Sequence, residues 1–85
     1  MANSKYAIKI SDTNNQFNDT FVVMDLYMLG QILGNLHGKY YNHYGPNYMR
    51  WISVTVEDDR GNVEYVHKLV DYSAKCYDKY YRSKR

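Results

Sequence analysis

Asp25–Tyr44 reads DLYMLGQILGNLHGKYYNHY, the longest stretch of the chain with a clear helical period. Leu29, Ile32, Leu33, Leu36 and Tyr40 fall at i, i+3, i+4, i+7 and i+11, one apolar stripe along a helix. Asp25 stands just before the stripe, where a carboxylate accepts hydrogen bonds from the free N–H groups of a first turn. The spacing predicts a helix from Asp25 to Tyr40 or Tyr41. Gly30, Gly34 and Gly38 recur every fourth residue beside the stripe. Each Gly in a helix interior costs about 1 kcal/mol relative to Ala, roughly 3 kcal/mol for the row, so close packing should offset it. A row without Cβ atoms lets another backbone come near. The neighbour is either the chain's own sheet or C-terminal helix, or a second copy or partner across a self-association seam.

The segments on either side read as strands. Lys5–Ile10 (KYAIKI) alternates, with Tyr6, Ile8 and Ile10 on one face. Ser11–Thr20 is a polar loop into which Phe17 is expected to tuck, and Phe21–Met24 (FVVM) is a short strand that closes a hairpin with the first. Beyond the Gly45–Pro46 connection, Arg50–Asp58 (RWISVTVED) is the best strand in the chain. The run Asp58-Asp59-Arg60-Gly61-Asn62 is a turn with Gly61 in the left-handed region, and Val63–Lys68 returns as the partner strand. This turn places Thr55 opposite Tyr65 and Val54 opposite Val66. Ile52, Val54, Val56 and Val66 then share one face, and Trp51, Val63, Tyr65 and His67 the other. A one-residue slip would exchange the two faces. A last helix is expected from Asp71 to Arg82. Its predicted stripe is Ala74, Tyr77 and Tyr81, with Tyr72, Cys76 and Tyr80 alongside, and Asp71–Lys75 and Asp78–Arg82 are spaced as ion pairs. The order is ββαββα: an α+β domain over residues 1–85, with two helices packed on one face of a small antiparallel sheet.

Composition narrows the classes of function. One cysteine, Cys76, allows no intrachain disulfide, which fits a reducing compartment. MANSKYAIKI has no apolar run of a signal peptide, and no segment approaches the ~18 apolar residues of a membrane span. A cytoplasmic protein that does not enter the membrane is the expectation. His37, His43 and His67 lie too far apart for a helical metal-ligand pair, and no C-x-x-C or H-E-x-x-H occurs, so neither metal nor cofactor is expected. Cys76 sits at core spacing, where Cys is a small hydrophobe rather than a nucleophile. Glu57, Asp58 and Asp59 do not converge as a catalytic carboxylate pair, because neighbouring strand residues point to opposite faces. The reading is therefore non-enzymatic.

Binding residues are easier to find. Tyr is unusually frequent, 11 of 85, and its large ring with one polar tip suits interfaces. Asn, Lys and Tyr also have A/T-rich codons, so the bias fits a low-GC genome. His37–Trp51 (HGKYYNHYGPNYMRW) gathers Tyr40, Tyr41, Tyr44, Tyr48, Arg50 and Trp51 around a Gly–Pro turn, an aromatic-plus-Arg set of the kind that makes protein-interface hot spots. The leading reading is a small binding protein that acts on a protein partner through this Tyr-rich surface. Its size and composition suit an inhibitor carried by a phage or mobile element against a host nucleic-acid-handling or defence complex. The alternative is direct nucleic-acid binding. Lys75, Lys79, Arg82, Lys84 and Arg85 would meet phosphates while aromatic rings stack on bases, since residues 68–85 carry a net +4 on a body of −2. A homodimer built on Gly30, Gly34 and Gly38, with a shared pocket for a small nucleotide, is a further option.

Overall fold

The computed structural model describes residues 5–14 and 18–83. Phe17, Lys84 and Arg85 lie outside the described residues, and with them the expectations placed on them. The elements are β1 (Tyr6–Asp12), β2 (Asn18–Val23), α1 (Leu26–Tyr44), β3 (Ile52–Glu57), β4 (Val63–Tyr65) and α2 (Leu69–Ser83), with a 3₁₀ turn at Tyr48–Arg50. The ββαββα order is the expected one. The four strands form one antiparallel sheet in the order β2-β1-β3-β4.

Pairing follows the hydrophobic alternation. Ile8 lies opposite Val56 and Ile10 opposite Val54, so the two central strands share one apolar face. Thr55 pairs with Tyr65 and Glu57 with Val63, and the Val66 N–H donates to the Val54 carbonyl at 2.9 Å. This is the register that the turn chemistry predicts. Ile52, Val54, Val56 and Val66 are buried, while Trp51, Val63, Tyr65 and His67 are exposed. Gly61 has φ 86°, a region open to Gly without a Cβ penalty. Its N–H closes the turn onto the Asp58 carbonyl at 3.1 Å. Both hairpin strands of the first pair run further than the sequence suggests, to Asp12 and from Asn18, because ladder hydrogen bonds override the polar composition of 11–20.

Both helices cover the face that Ile8, Ile10 and Val54 line, and the opposite face is open to solvent. Asp25 caps α1, accepting from the Met28 N–H at 2.8 Å. The helix outruns its predicted end by about one turn, to Tyr44, and Gly45 ends it with its N–H on the Tyr41 carbonyl. Leu29 and Leu33 are 1% and 0% exposed, and each such side chain contributes about 1.5–3 kcal/mol by burial.

The glycine row packs on α2 at its first two members, with Gly30 buried and Gly34 at the exposed edge of the contact. A Cβ on Gly30 would lie 3.1 Å from the Tyr77 ring and 3.3 Å from the Ser73 carbonyl oxygen. The Ser73 hydroxyl donates to the Gly30 carbonyl at 2.7 Å, and it is also the atom nearest Gly34, at 3.6 Å. So α2 crosses α1 at Gly30 and Gly34. A Cβ on Gly38 would meet nothing within 4 Å.

This crossing corrects the stripe expected on α2. The buried residues are Leu69, Ser73 and Cys76, while Ala74 and Tyr81 are exposed and Tyr77 is half-buried. A close helix–helix approach needs a small residue at the contact, and Ser73 supplies it. Tyr occurs on several sides of α2, so ring positions alone do not mark the inward face. Of the two spaced ion pairs, Asp78–Arg82 closes at 3.1 Å. Among the described residues, no helix is long and apolar enough to cross a membrane.

Candidate functional site

The last turns of α1 carry Tyr40 and Tyr44 four residues apart, hence on one side of the helix. Gly45–Pro46 turns the chain back, the 3₁₀ turn follows, and Trp51 arrives at the same end of the sheet just before β3. The Thr13 N–H donates to the Trp51 carbonyl at 2.9 Å, which ties the turn after β1 to this point.

The rings form a stack that passes from core to solvent. Tyr40 and Tyr44 lie 6.2 Å apart with planes 20° apart, and Tyr44 and Trp51 lie 6.4 Å apart at 18°. Exposure rises along the series, from 4% at Tyr40, through half-buried Tyr44, to 48% at Trp51. His43 meets Tyr44 edge-on at 4.4 Å. Each ring pair is worth about 0.5–1.5 kcal/mol beyond the area it buries, so the stack stiffens this end. A second group centres on His37, which lies 5.3 Å from Tyr48 and 5.6 Å from Tyr41 and shares a 2.6 Å hydrogen bond with the Tyr48 hydroxyl.

The six residues expected to meet a partner therefore divide. Tyr40 and Tyr48 are built into the core, at 4% and 5% exposure, and support the site from beneath. Burial pushes the hydroxyl pKa of both above the ordinary tyrosine value, with the Asp19 carboxylate adding to the shift at Tyr40. Tyr41, Arg50 and Trp51 are exposed, and Tyr44 is reachable from one side. They open on two neighbouring clefts. One, of about 360 Å³, lies between the Asp12–Asn14 turn and His43, Tyr44 and Trp51. The other, of about 470 Å³, includes Tyr41, Met49 and Arg50 on one side and Lys68–Asp71 on the other. Asp12, Thr13 and Asn14 are the members of the first cleft that sequence reasoning missed. They lie on a different hairpin, and no local pattern connects them to Trp51.

The basic set meets a different environment. Lys75 and Lys79 are exposed on α2 and line a cleft of about 670 Å³ together with Asp58, Asp59 and Glu64 of the facing hairpin. Arg82 is paired with Asp78. The acids share the space that a phosphate chain would enter, which weakens the field offered by the lysines. Tyr72 donates to Glu64 at 2.7 Å across the same cleft, fastening the short edge strand β4 to α2. The Cys76 thiol is buried there and its pKa is pushed up to about 11, mainly by burial, against the opposing pull of Lys79. A high thiol pKa is the reverse of what a cysteine nucleophile needs. Among the described residues, no three of His, Cys, Asp and Glu come close enough together to hold a metal ion. No known protein family, curated protein or solved structure matches the chain.

Proposed function

We propose that this is a non-enzymatic binding protein that docks on a protein partner through Trp51, Tyr44, Tyr41 and Arg50. The observation that carries the reading is the stack Tyr40–Tyr44–Trp51, anchored in the core at one end and open to solvent at the other. An exposed Trp held rigid from beneath loses little entropy on binding, and Trp, Tyr and Arg dominate interface hot spots. We extend the proposal to an inhibitor of a nucleic-acid-handling or defence complex, of the kind that phages and mobile elements carry. That extension rests on small size, Tyr- and Asn-rich usage and the lack, among the described residues, of a convergent acid–base set.

The test is protection of an infecting phage by the expressed chain in cells carrying individual nuclease-based defence systems, with capture of a defence subunit by the purified protein. The triple variant Tyr41→Ala, Arg50→Ala, Trp51→Ala should lose both, with a native circular dichroism spectrum. Tyr48 does not belong in that variant, because its loss would open the core. Undiminished capture by the folded triple variant would remove this surface.

The second reading is nucleic-acid binding by α2. It is supported by Lys75, Lys79 and Arg82, which recur along one side of the helix. It requires an affinity that falls steeply with salt. Asp58, Asp59 and Glu64 in the same cleft place it behind the first.

A further inference from the structure

Asp12 is one of two buried polar residues among those described, at 7% exposure, and it borders the cleft beside Trp51. It ends β1 on the face that carries Ile8 and Ile10. Asp19 pairs with Ile10 and so points to the same side, and its charge reaches the Tyr40 hydroxyl at the inner end of the stack. Carboxylates therefore lie near both ends of the stack, Asp19 toward Tyr40 and Asp12 in the cleft beside Trp51. The ring faces are themselves electron-rich and attract cations. The stack already holds one, since the Lys39 ammonium lies 5.5 Å from the Tyr40 centroid. Carboxylate and ring faces together select a cation and reject an anion.

Geometry then selects among cations. The three rings are parallel within about 20° at each step, and a planar guanidinium continues such a stack while offering a flat fork to a carboxylate. An ammonium is a compact point charge with no plane to stack. A cleft of about 360 Å³ is at the small end of ligand sites and suits one side chain.

We infer that the cleft between the Asp12–Asn14 turn and Trp51 is a guanidinium site that receives an arginine side chain of the protein partner, stacked on the outer face of the Trp51 ring, which Tyr44 backs, and ion-paired with Asp12. This rests on the docking reading above and adds the chemistry that the partner must present.

The probe is N-acetyl-argininamide titrated into the full chain. It is followed by the fluorescence of the single Trp and by NMR shifts of the Trp51 indole N–H and the Thr13 amide. The controls are the lysine derivative and the citrulline derivative, which keeps the plane and loses the charge. A saturable shift at both reporters is expected, roughly tenfold tighter than for citrulline, with a similar roughly tenfold weakening in Asp12→Asn and in Tyr44→Leu. Equal binding of citrulline or lysine, or the absence of a saturable shift in the folded protein, overturns the proposal. Undiminished arginine binding in a folded Asp12→Asn or Tyr44→Leu variant overturns it too. If partner capture still depends on Trp51 when the arginine probe fails, docking stands and only the arginine is lost. If the probe binds and capture ignores Trp51, the docking reading is the one that falls, and the partner's arginine with it.

Discussion

Gly30 and Gly38 look alike in the sequence and occupy opposite situations in the fold. At Gly30 a methyl group would press on the Tyr77 ring and on the backbone oxygen of Ser73, at 3.1 and 3.3 Å. The ring can give way, but the backbone cannot without moving α2. Gly30→Ala therefore sets an overpacking cost of about 1–3 kcal/mol against a helix-propensity gain of about 1 kcal/mol. We expect a net loss of roughly 1 kcal/mol on those scales. Gly38→Ala meets nothing within 4 Å and should gain up to about 1 kcal/mol. Urea midpoints at unchanged slope measure both. A stabilised Gly30→Ala would mean that the helices do not cross where the structure puts them. The four-residue spacing was legible in the sequence, but the difference between its members was not, because it depends on where Ser73 and Tyr77 lie in space.

At the scale of an element, the β3–β4 hairpin is held by its own turn. The Asp58 carboxylate accepts from the Asn62 N–H at 2.8 Å, the Arg60 N–H at 3.0 Å and the Asn62 side-chain amide at 3.1 Å. These bonds, the one from the Asn62 backbone first, hold its pKa below the ordinary 3.8. A carboxyl with a depressed folded pKa stabilises the fold above its unfolded value and loses that contribution as pH falls through the folded value. The hairpin should therefore loosen below about pH 4, and Asp58→Ala should show the loosened state already at neutral pH. The Gly61 and Val63 amide shifts, followed from pH 7 to pH 2, report it. A turn that keeps its shifts in Asp58→Ala would show that Gly61 alone sets it. This element was nearly complete in the sequence, including its register, because turn type, Gly61 and the apolar alternation all act locally. In α2 local periodicity points to the Ala74/Tyr77/Tyr81 side, whereas Leu69, Ser73 and Cys76 are the buried residues. Tyr at positions 72, 77, 80 and 81 surrounds the helix, and the inward choice was made by Gly30 on another element.

At the scale of the molecule, Cys76 reports on the whole fold. Its thiol is 3% exposed, at the floor of the cleft between the second hairpin and α2. With a folded pKa near 11 against an ordinary 9.0, it is almost wholly protonated at neutral pH and shielded from reagents. Thiol labelling in native buffer should be slow and should accelerate with urea in step with unfolding. Burial also raises the pKa of Tyr40, Tyr48 and Tyr72. A group whose folded pKa is raised keeps its full contribution below the unfolded value and loses it as pH climbs through the folded one. The urea midpoint should thus fall from about pH 9 upward, as the unfolded thiol and then the unfolded phenols ionise. A midpoint unchanged from pH 7 to 10.5, or rapid labelling without denaturant, would contradict the packing of α2.

The sequence by itself determined the order of elements, the cap at Asp25 and which residues share a face in β1 and β3, and its turn chemistry pointed to the β3–β4 register that forms. All of these rest on residues a few positions apart, where periodicity and turn chemistry act directly. It also located the aromatic end of the molecule, since Tyr44 and Trp51 belong to one connection. The tertiary structure alone decided that Tyr40 and Tyr48 support that end from inside, that Ser73 seats α2 on Gly30, and that Asp12 lies in the cleft beside Trp51. Those relations join residues distant in the chain, and they follow from which faces meet once the sheet and both helices share one core.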